Sequence, residues 1–239
     1  MKGVILAGGT GSRLYPLTKV VNKHLLPIGG KPMLQHCVEK LVEAEITDIM
    51  VITGGEHLGG IAEFLGSGKD FDCNVTYRVQ DRAGGIAEAL GLCEDFALTN
   101  GGGQVCVLLG DNVFEDSLLP FRREWEDSSF GAMNILKEVP DPERFGVADV
   151  HEGRIVGIEE KPKVPKSNLA VTGIYFYNEY AFKVARDLEP SARGELEISD
   201  INNAYIACGE MACERFIGWW SDAGTHESYA VANKLARGE

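Results

Sequence analysis

The stretch KGVILAGGTGSRL, residues 2–14, runs apolar to Ala7 and then breaks into Gly8, Gly9 and Gly11 before reaching Arg13. A continuous apolar run of this length reads as a buried strand over residues 2–7. Glycines remove side chains where a backbone must turn sharply and aim several N–H groups at one centre, so the loop is a cradle for an anion. The way the chain continues from this strand and loop sets the fold.

PMLQHCVEKLVEAEI (32–46) spaces Met33, Cys37, Val38, Leu41 and Val42 at helical intervals, and DIMVIT (48–53) is a second buried strand. A helix over 57–65, a strand over 74–79, a helix over 84–94 and the strand QVCVLLGD at 104–111 follow. Strands alternating with helices predict an α/β fold with a doubly wound, mostly parallel, Rossmann-like sheet. Past residue 128 the pattern changes to strands at 130–137, 145–150, 154–159 and 172–178, with helices at 179–188, 198–208 and 225–237. No Ser/Gly/Pro-rich linker intervenes, so the expectation is one domain over 1–239, made of a half at 1–128 and a mixed half at 129–239. Ligands of an open α/β sheet bind beyond the carboxyl ends of its strands. Both the glycine loop and Gly110-Asp111-Asn112 fall there.

Composition narrows the ligand. The formal net charge of −13 argues against nucleic acid or an anionic membrane as partner, because both reward a basic surface. Residues 1–38 nevertheless hold Lys2, Arg13, Lys19, Lys23 and Lys31 with no Asp or Glu, while the remaining 201 residues carry 18 basic against 36 acidic groups. A cationic patch on an acidic chain points to a small, highly charged anion, although Lys2, Lys19 and Lys31 individually read as solvated side chains. No stretch approaches the roughly 20 apolar residues of a membrane span, and the N-terminus lacks the serial pattern of a secretory signal, so a soluble cytoplasmic chain is expected. The six cysteines sit mostly among apolar neighbours and make no C-x-x-C pair, which suits buried thiols better than a disulfide framework or a zinc site.

The glycine loop argues against two common anion binders. A dinucleotide fingerprint would want G-x-G-x-x-G and an acidic residue at the end of the next strand. Here the loop gives Gly9-x-Gly11-x-x-Leu14, and the second strand ends Thr53-Gly54-Gly55. A P-loop would want G-x-x-x-x-G-K-[ST], which is absent. What stands instead is Arg13 in the loop and Lys23 ten residues on, two cations suited to a triphosphate. Spacing alone leaves open a plain tight turn with an exposed arginine, and Asp111 alone could be a helix cap or turn residue.

LAGGTGSRLYPLT (6–18) and NKHLLPIGGKPM (22–33) together resemble the sugar-1-phosphate nucleotidyltransferases. The likeness continues through YRVQDRAGGIAEAL (77–90), LLGDNVF (108–114), DPERFGVA (141–148), EEKPKVPKSN (159–168), VTGIYFY (171–177), PSARGELEISDIN (190–202) and WWSDAGTHES (219–228). Blocks spread over nearly the whole chain are far more specific than one glycine loop. The resemblance implies a nucleotidyltransferase, GT-A-like fold whose first half binds nucleotide and whose second half binds sugar phosphate. It implies transfer of a thymidylyl group from dTTP to glucose 1-phosphate with Mg²⁺, by a homo-oligomer.

The resemblance also distributes roles. Leu6, Gly8, Gly9 and Gly11 are expected to hold the nucleotide, with Arg13 and Lys23 on its phosphates and Gln80 and Gly85 on the base. Asp111 and Asp222 are expected to hold Mg²⁺, which usually takes one or two protein carboxylates and fills its octahedron with phosphate oxygens and water. Glu160 and Lys161 are expected on the sugar hydroxyls and the sugar phosphate, with Arg193 as a further phosphate contact. Asn112, Gly146, Val171 and Gly173 are expected to line the sugar pocket, Val171 through its backbone. Arg13, Lys23, Asp111 and Lys161 form the expected catalytic set.

Three positions depart from the family's common pattern: Phe145 stands where tyrosine is frequent, and Glu88 and His24 where glutamine is. Glu88 bears on nucleotide preference, so uridylyl or cytidylyl transfer on the same scaffold stays an alternative. Beyond it stand a non-catalytic nucleotide-sugar sensor and, weakest, a nicotinamide-dependent oxidoreductase; a glycosyltransferase would ordinarily show D-x-D, which Asp111-Asn112-Val113 is not. Because the sequence ends at Glu239, soon after the Asp222 block, weak or absent feedback by the nucleotide sugar is expected.

Overall fold

A computed structural model describes residues 1–100 and 102–239. In chain order its first elements are β1 (Lys2–Ala7), β2 (Pro27–Ile28), β3 (Lys31–Pro32), α1 (Met33–Glu43), β4 (Asp48–Gly54), α2 (Leu58–Leu65) and β5 (Asn74–Gln80). There follow α3 (Ile86–Gly91), α4 (Glu94–Leu98), β6 (Val105–Leu109), β7 (Asn112–Phe114), α5 (Leu119–Asp127), β8 (Ala132–Glu138) and β9 (Gly146–His151). The last are β10 (Arg154–Glu160), β11 (Leu169–Tyr177), α6 (Tyr180–Asp187), α7 (Ile198–Ala207), β12 (Met211–Arg215), β13 (Trp220–Asp222) and α8 (His226–Ala236). The chain divides into two units that interleave along the sequence, Met1–Ala83 with Val107–Leu119 and Gly218–Glu239, and Gly84–Cys106 with Pro120–Ile217.

In the first unit β1, β4 and β5 pair in parallel, Gly3 to Ala7 against Ile49 to Thr53 and Asp48 to Gly54 against Asn74 to Gln80, and β6 borders β1. The Gly110 amide donates to the Leu6 carbonyl at 2.9 Å, which ties the end of β6 to the end of β1 just before the glycine loop. The predicted helix at 32–46 forms as α1 and buries Met33, Leu34, Cys37, Val38 and Leu41. It stops at Glu43 because Glu45 takes φ +59° and Ile46 returns its amide to the Leu41 carbonyl, so the tail of the periodic stretch is a turn. A short antiparallel ladder joins β7 to β13, setting Asp222 against Asn112. Behind that ladder Ile28, Met33, Val113, Ala223 and Ala232 form a small apolar core, joined by Trp219 and Tyr229, that seats α8.

The second unit carries a mixed sheet in the order β10-β9-β11-β8-β12, with β12 parallel to β8 and β10 on β9, β9 on β11 and β11 on β8 antiparallel. All nine residues of β11 are buried, as a central strand covered on both faces demands. The expected helix at 84–94 begins only at Ile86 and is followed by a separate α4. Its start is displaced because Gly84 and Ala87 are pinned to Leu196 by backbone hydrogen bonds of 2.8 and 3.1 Å, with Gly85 at φ +103° between them. The α/β fold class is borne out, with parallel pairing of β1, β4 and β5 in the first unit and mixed pairing in the sheet of the second.

Candidate active site

In the first unit the glycine loop closes over its own cations. A β-carbon on Gly9 would lie 3.0 Å from Lys23 Cε and 3.1 Å from its Nζ, and one on Gly11, at φ +68°, would lie 2.9 Å from Lys23 Cβ. On the other flank a β-carbon on Gly8 would sit 3.0 Å from Gln80 Oε1. Gly11 admits no side chain without strain, and a side chain on Gly8 or Gly9 would have to push Gln80 or Lys23 aside, a physical reason that the bare spacing of the loop leaves unstated. Gln80 ends β5 beside Gly54, at the carboxyl edge of the parallel strands.

Lys23 lies in the single 3₁₀ turn Lys23–Leu25, and its Nζ donates to Asp111 Oδ2 at 2.5 Å. Both residues are buried. Burial alone would raise the Asp111 carboxyl, but the Lys23 ammonium and a hydrogen bond from the Asn112 amide, 3.2 Å from Oδ1, hold it well below the usual carboxylate range. Asn112 is in turn held through its oxygen by the Trp220 indole N–H at 2.7 Å. These contacts of Asn112 to Asp111 and Trp220 lie within the first unit, whereas the other residues expected on the sugar lie in the second.

Asp222 reaches the same place from the far end of the chain. The β7–β13 ladder delivers it, and the Ala223 amide donates to the Asp111 carbonyl at 2.8 Å. Burial pushes the Asp222 carboxyl up, and the neighbouring Asp111 charge adds to that push. The Gly224 amide, donating to Oδ1 at 2.6 Å, and the charges of Lys23 and Arg13 work against it. Gly224 marks the convergence: a β-carbon there would lie 2.7 Å from Asp222 Oδ1, 3.0 Å from an Arg13 terminal nitrogen and 3.4 Å from Asp111 Oδ2. Thr225 then caps α8 in a capping box with Ser228, which fixes the turn carrying Asp222.

In the second unit Gly146 stands opposite Glu160 across the β9–β10 ladder. A β-carbon on Gly146 would lie 3.3 Å from Glu160 Oε2 and 3.8 Å from Val171 Cβ, so these three sequence-predicted residues are together. Lys161 has φ +45°, gives its amide to the Phe145 carbonyl at 2.9 Å and approaches Glu160 Oε1 to 3.3 Å. Gly173 lies two residues past Val171 in β11, where the pairing with β8 shifts register between Val171 and Tyr175. Arg193 is held in a fork by Glu197, 3.0 Å from Nε and 2.7 Å from a terminal nitrogen, and by Glu195 at 3.0 Å. Glu160 adds to the field that raises the Arg193 guanidinium, and Lys161 to the field that lowers the Glu197 carboxyl. Gly85 is backbone only, a β-carbon there falling 2.3 Å from the Leu196 carbonyl oxygen.

The profile of the nucleotidyl transferase family matches residues 2–238. The chain belongs to the nucleotidyl transferase family. It is 45% identical over 233 residues to the glucose-1-phosphate thymidylyltransferase of Neisseria meningitidis serogroup A, covering 95% of this chain and 80% of that one. It is 42% identical to a protein of the same name from Xanthomonas campestris, covering 95% of this chain and 77% of the other. Among solved structures it superposes with a TM-score of 0.94 and 58% identity on a candidate glucose-1-phosphate thymidylyltransferase from Bacillus anthracis in complex with a sucrose, covering 99% and 95% of the two chains. A UDP-glucose pyrophosphorylase complexed with UDP-glucose shares 25% identity at a TM-score of 0.85, covering 98% and 97%.

Nucleotidyl transferases of this family use a divalent metal. Among the described residues no group of three or more His, Cys, Asp or Glu side chains could hold one. The site that fits is the adjacent carboxylate pair Asp111 and Asp222, hard oxygen donors whose mutual repulsion calls for a cation. Among the described residues no helix is long and apolar enough to cross a membrane, and all six cysteines are free. The sequence reading gave no role to Glu197, Gly224 or Asn22, and noted His24 only as a departure from the family's common pattern. Glu197 had a signal in its spacing of four from Arg193, and Gly224 one in the Asp-x-Gly turn.

Proposed function

We propose that this chain transfers the thymidylyl group of dTTP to glucose 1-phosphate, releasing pyrophosphate and forming dTDP-glucose. The observation that carries the reading is the convergence of Arg13, Lys23, Asp111 and Asp222 beside a glycine-rich loop, in a chain 45% identical to a glucose-1-phosphate thymidylyltransferase. A non-catalytic sensor would have no use for paired carboxylates backed by a buried lysine.

The reaction is an in-line displacement. An oxygen of the sugar phosphate forms a bond to the α-phosphorus of dTTP as the bond to the bridging oxygen of pyrophosphate breaks. A phosphate monoester has its second pKa near 6, so the attacking oxygen is ionised at neutral pH and needs no general base. The protein has to align the phosphates and neutralise their charge. In this reading Leu6, Gly8, Gly9 and Gly11 present backbone to the nucleotide, and Arg13 takes up charge on the departing pyrophosphate. Lys23 offers its ammonium to phosphate and keeps Asp111 ionised. Gln80 and Gly85 address the base. Asp111 and Asp222 would hold Mg²⁺, which supplies charge neutralisation on the phosphate oxygens when bound. On the acceptor side Glu160 takes sugar hydroxyls, Lys161 and Arg193 take the sugar phosphate, and Asn112, Gly146, Val171 and Gly173 line the sugar pocket, Val171 through its backbone. A cytoplasmic homo-oligomer is part of the same proposal, supported by the family resemblance.

The base is tested by competition. With Mg²⁺, glucose 1-phosphate and equal dTTP, UTP and CTP, dTDP-glucose is expected to form first. One methyl distinguishes thymine from uracil and is worth about 1–3 kcal/mol, or 10–200-fold in rate. Faster formation of UDP-glucose would keep the chemistry and overturn the base assignment.

A further inference from the structure

Asn22 precedes Lys23 and is 4% exposed. Its side-chain oxygen accepts the His24 backbone N–H at 2.8 Å and lies 2.7 Å from His24 Nδ1. The backbone donor settles which end of the amide faces His24, since only the oxygen can accept it. That oxygen cannot donate, so the His24 ring carries its proton on Nδ1 and leaves Nε2 bare. The ring is itself buried and lies flush on Gly110, where a β-carbon would fall 2.8 Å from Cδ2 and 3.2 Å from Nε2. Gly110 is the residue that presents Asp111.

The Asn22 oxygen thus acts at two points. It caps the three-residue 3₁₀ turn that carries Lys23, a turn too short to hold itself, and it orients the ring on which the backbone before Asp111 rests. The Asn22 Nδ2 is buried and has no hydrogen-bond partner among the described residues. Burying an amide with one end unpaired is unfavourable, so what Asn22 contributes here is its oxygen. We propose that Asn22 is a positioning residue for nucleotidyl transfer, which through one carbonyl oxygen sets the Lys23 turn and the His24 ring and so brings Lys23 to Asp111. This rests on the transfer reading above.

Asn22→Ala is expected to lower kcat by on the order of 10²-fold, the cost of a small misplacement, with the KM for glucose 1-phosphate unchanged. Asn22→Asp, which keeps an acceptor oxygen in place, is expected to recover most of the loss. The readout that packing alone does not move is the ring. Two-bond ¹H–¹⁵N spectra, with the His24 signals assigned by their absence in His24→Gln, are expected to show the Nδ1–H tautomer in the wild type and a mixture in Asn22→Ala. If Asn22→Ala does not fold, Asn22→Ser takes its place, since a hydroxyl caps the His24 amide but does not reach the ring; it is expected to lose kcat. A wild-type His24 protonated on Nε2, or a folded variant with wild-type kcat, overturns the proposal. A wild type without transfer activity contradicts the transfer reading and this role with it, whereas an active wild type whose variants are unmoved contradicts Asn22 alone.

Discussion

Lys23 and Asp111 are buried together, so removing either strands the other's charge away from water. Lys23→Met is expected to cost about 3–5 kcal/mol of stability and to lower kcat by roughly 10²–10³-fold, read from urea unfolding and from the transfer rate. A variant as stable as wild type would show that the ion pair contributes nothing net. The neighbouring His24 makes a pH prediction. Burial and then the Lys23 charge push its imidazole down to about 3, so the native protein refuses a proton that the unfolded chain takes up below about 6.5. A depressed value means the stabilisation is complete above pH 6.5 and is lost as pH falls through the window toward 3, at about 1.4 kcal/mol per pH unit. His36, also lowered by burial, has the same sign, and Asp111 adds to it only below about pH 4. Asp222, raised by burial and by Asp111, has the opposite sign. Between pH 6.5 and 5 His24→Gln is therefore expected to lose stability less steeply than wild type in urea titrations, and parallel slopes would contradict the buried neutral imidazole.

The turn after β13 shows what an element adds to a motif. Gly224 gives its amide to Asp222 and leaves no room for a β-carbon beside Arg13, Asp222 and Asp111. Gly224→Ala is accordingly expected to raise the Mg²⁺ concentration for half-maximal transfer by at least about tenfold while leaving the fold intact, since metal sites lose 10–100-fold when their supporting groups shift. Unchanged Mg²⁺ dependence would mean that Asp222 is not a ligand. Gly85→Ala tests the second unit: at φ +103°, with the Leu196 backbone 2.3 Å from the added carbon, it is expected to lower stability by about 1–3 kcal/mol, seen as a reduced urea midpoint. Strand and helix periodicity made β1, β4, β5, β6, β8, β9, β10 and β11 and the helices α1, α2, α6, α7 and α8 legible in the sequence. It did not disclose α5, whose Pro120 reads as a break but sits in the first helical turn where proline is tolerated, with Trp125 buried further on. Nor did it disclose β2, β3, β7 and β13, which at two or three residues are too short for a period to register, or β12, whose Met211–Arg215 carries neither a continuous apolar run nor an alternation. The ladder that brings Asp222 to Asn112 spans 110 residues of sequence, and only the resemblance of the WWSD block, not any local pattern, pointed to it.

Over the whole molecule the acidic balance confines the cations that matter. A chain of net charge −13 repels a triphosphate at long range, so the cationic stretch before residue 38 must supply the local attraction. The site residues were legible as a set because their blocks are distributed in order over the chain; Gly224, Asn22 and Glu197 give their support within their own blocks, whereas the hydrogen bond from Trp220 to Asn112 joins two blocks that no local pattern connects. The central claim is that phosphate alignment and charge neutralisation serve transfer to a sugar phosphate. Its most direct test is pyrophosphate release by the purified protein with dTTP and Mg²⁺, measured with and without glucose 1-phosphate. The account predicts release that requires both substrates and the metal, in step with the appearance of dTDP-glucose. Pyrophosphate release that proceeds equally without glucose 1-phosphate, or none with any nucleoside triphosphate and sugar phosphate, would contradict it.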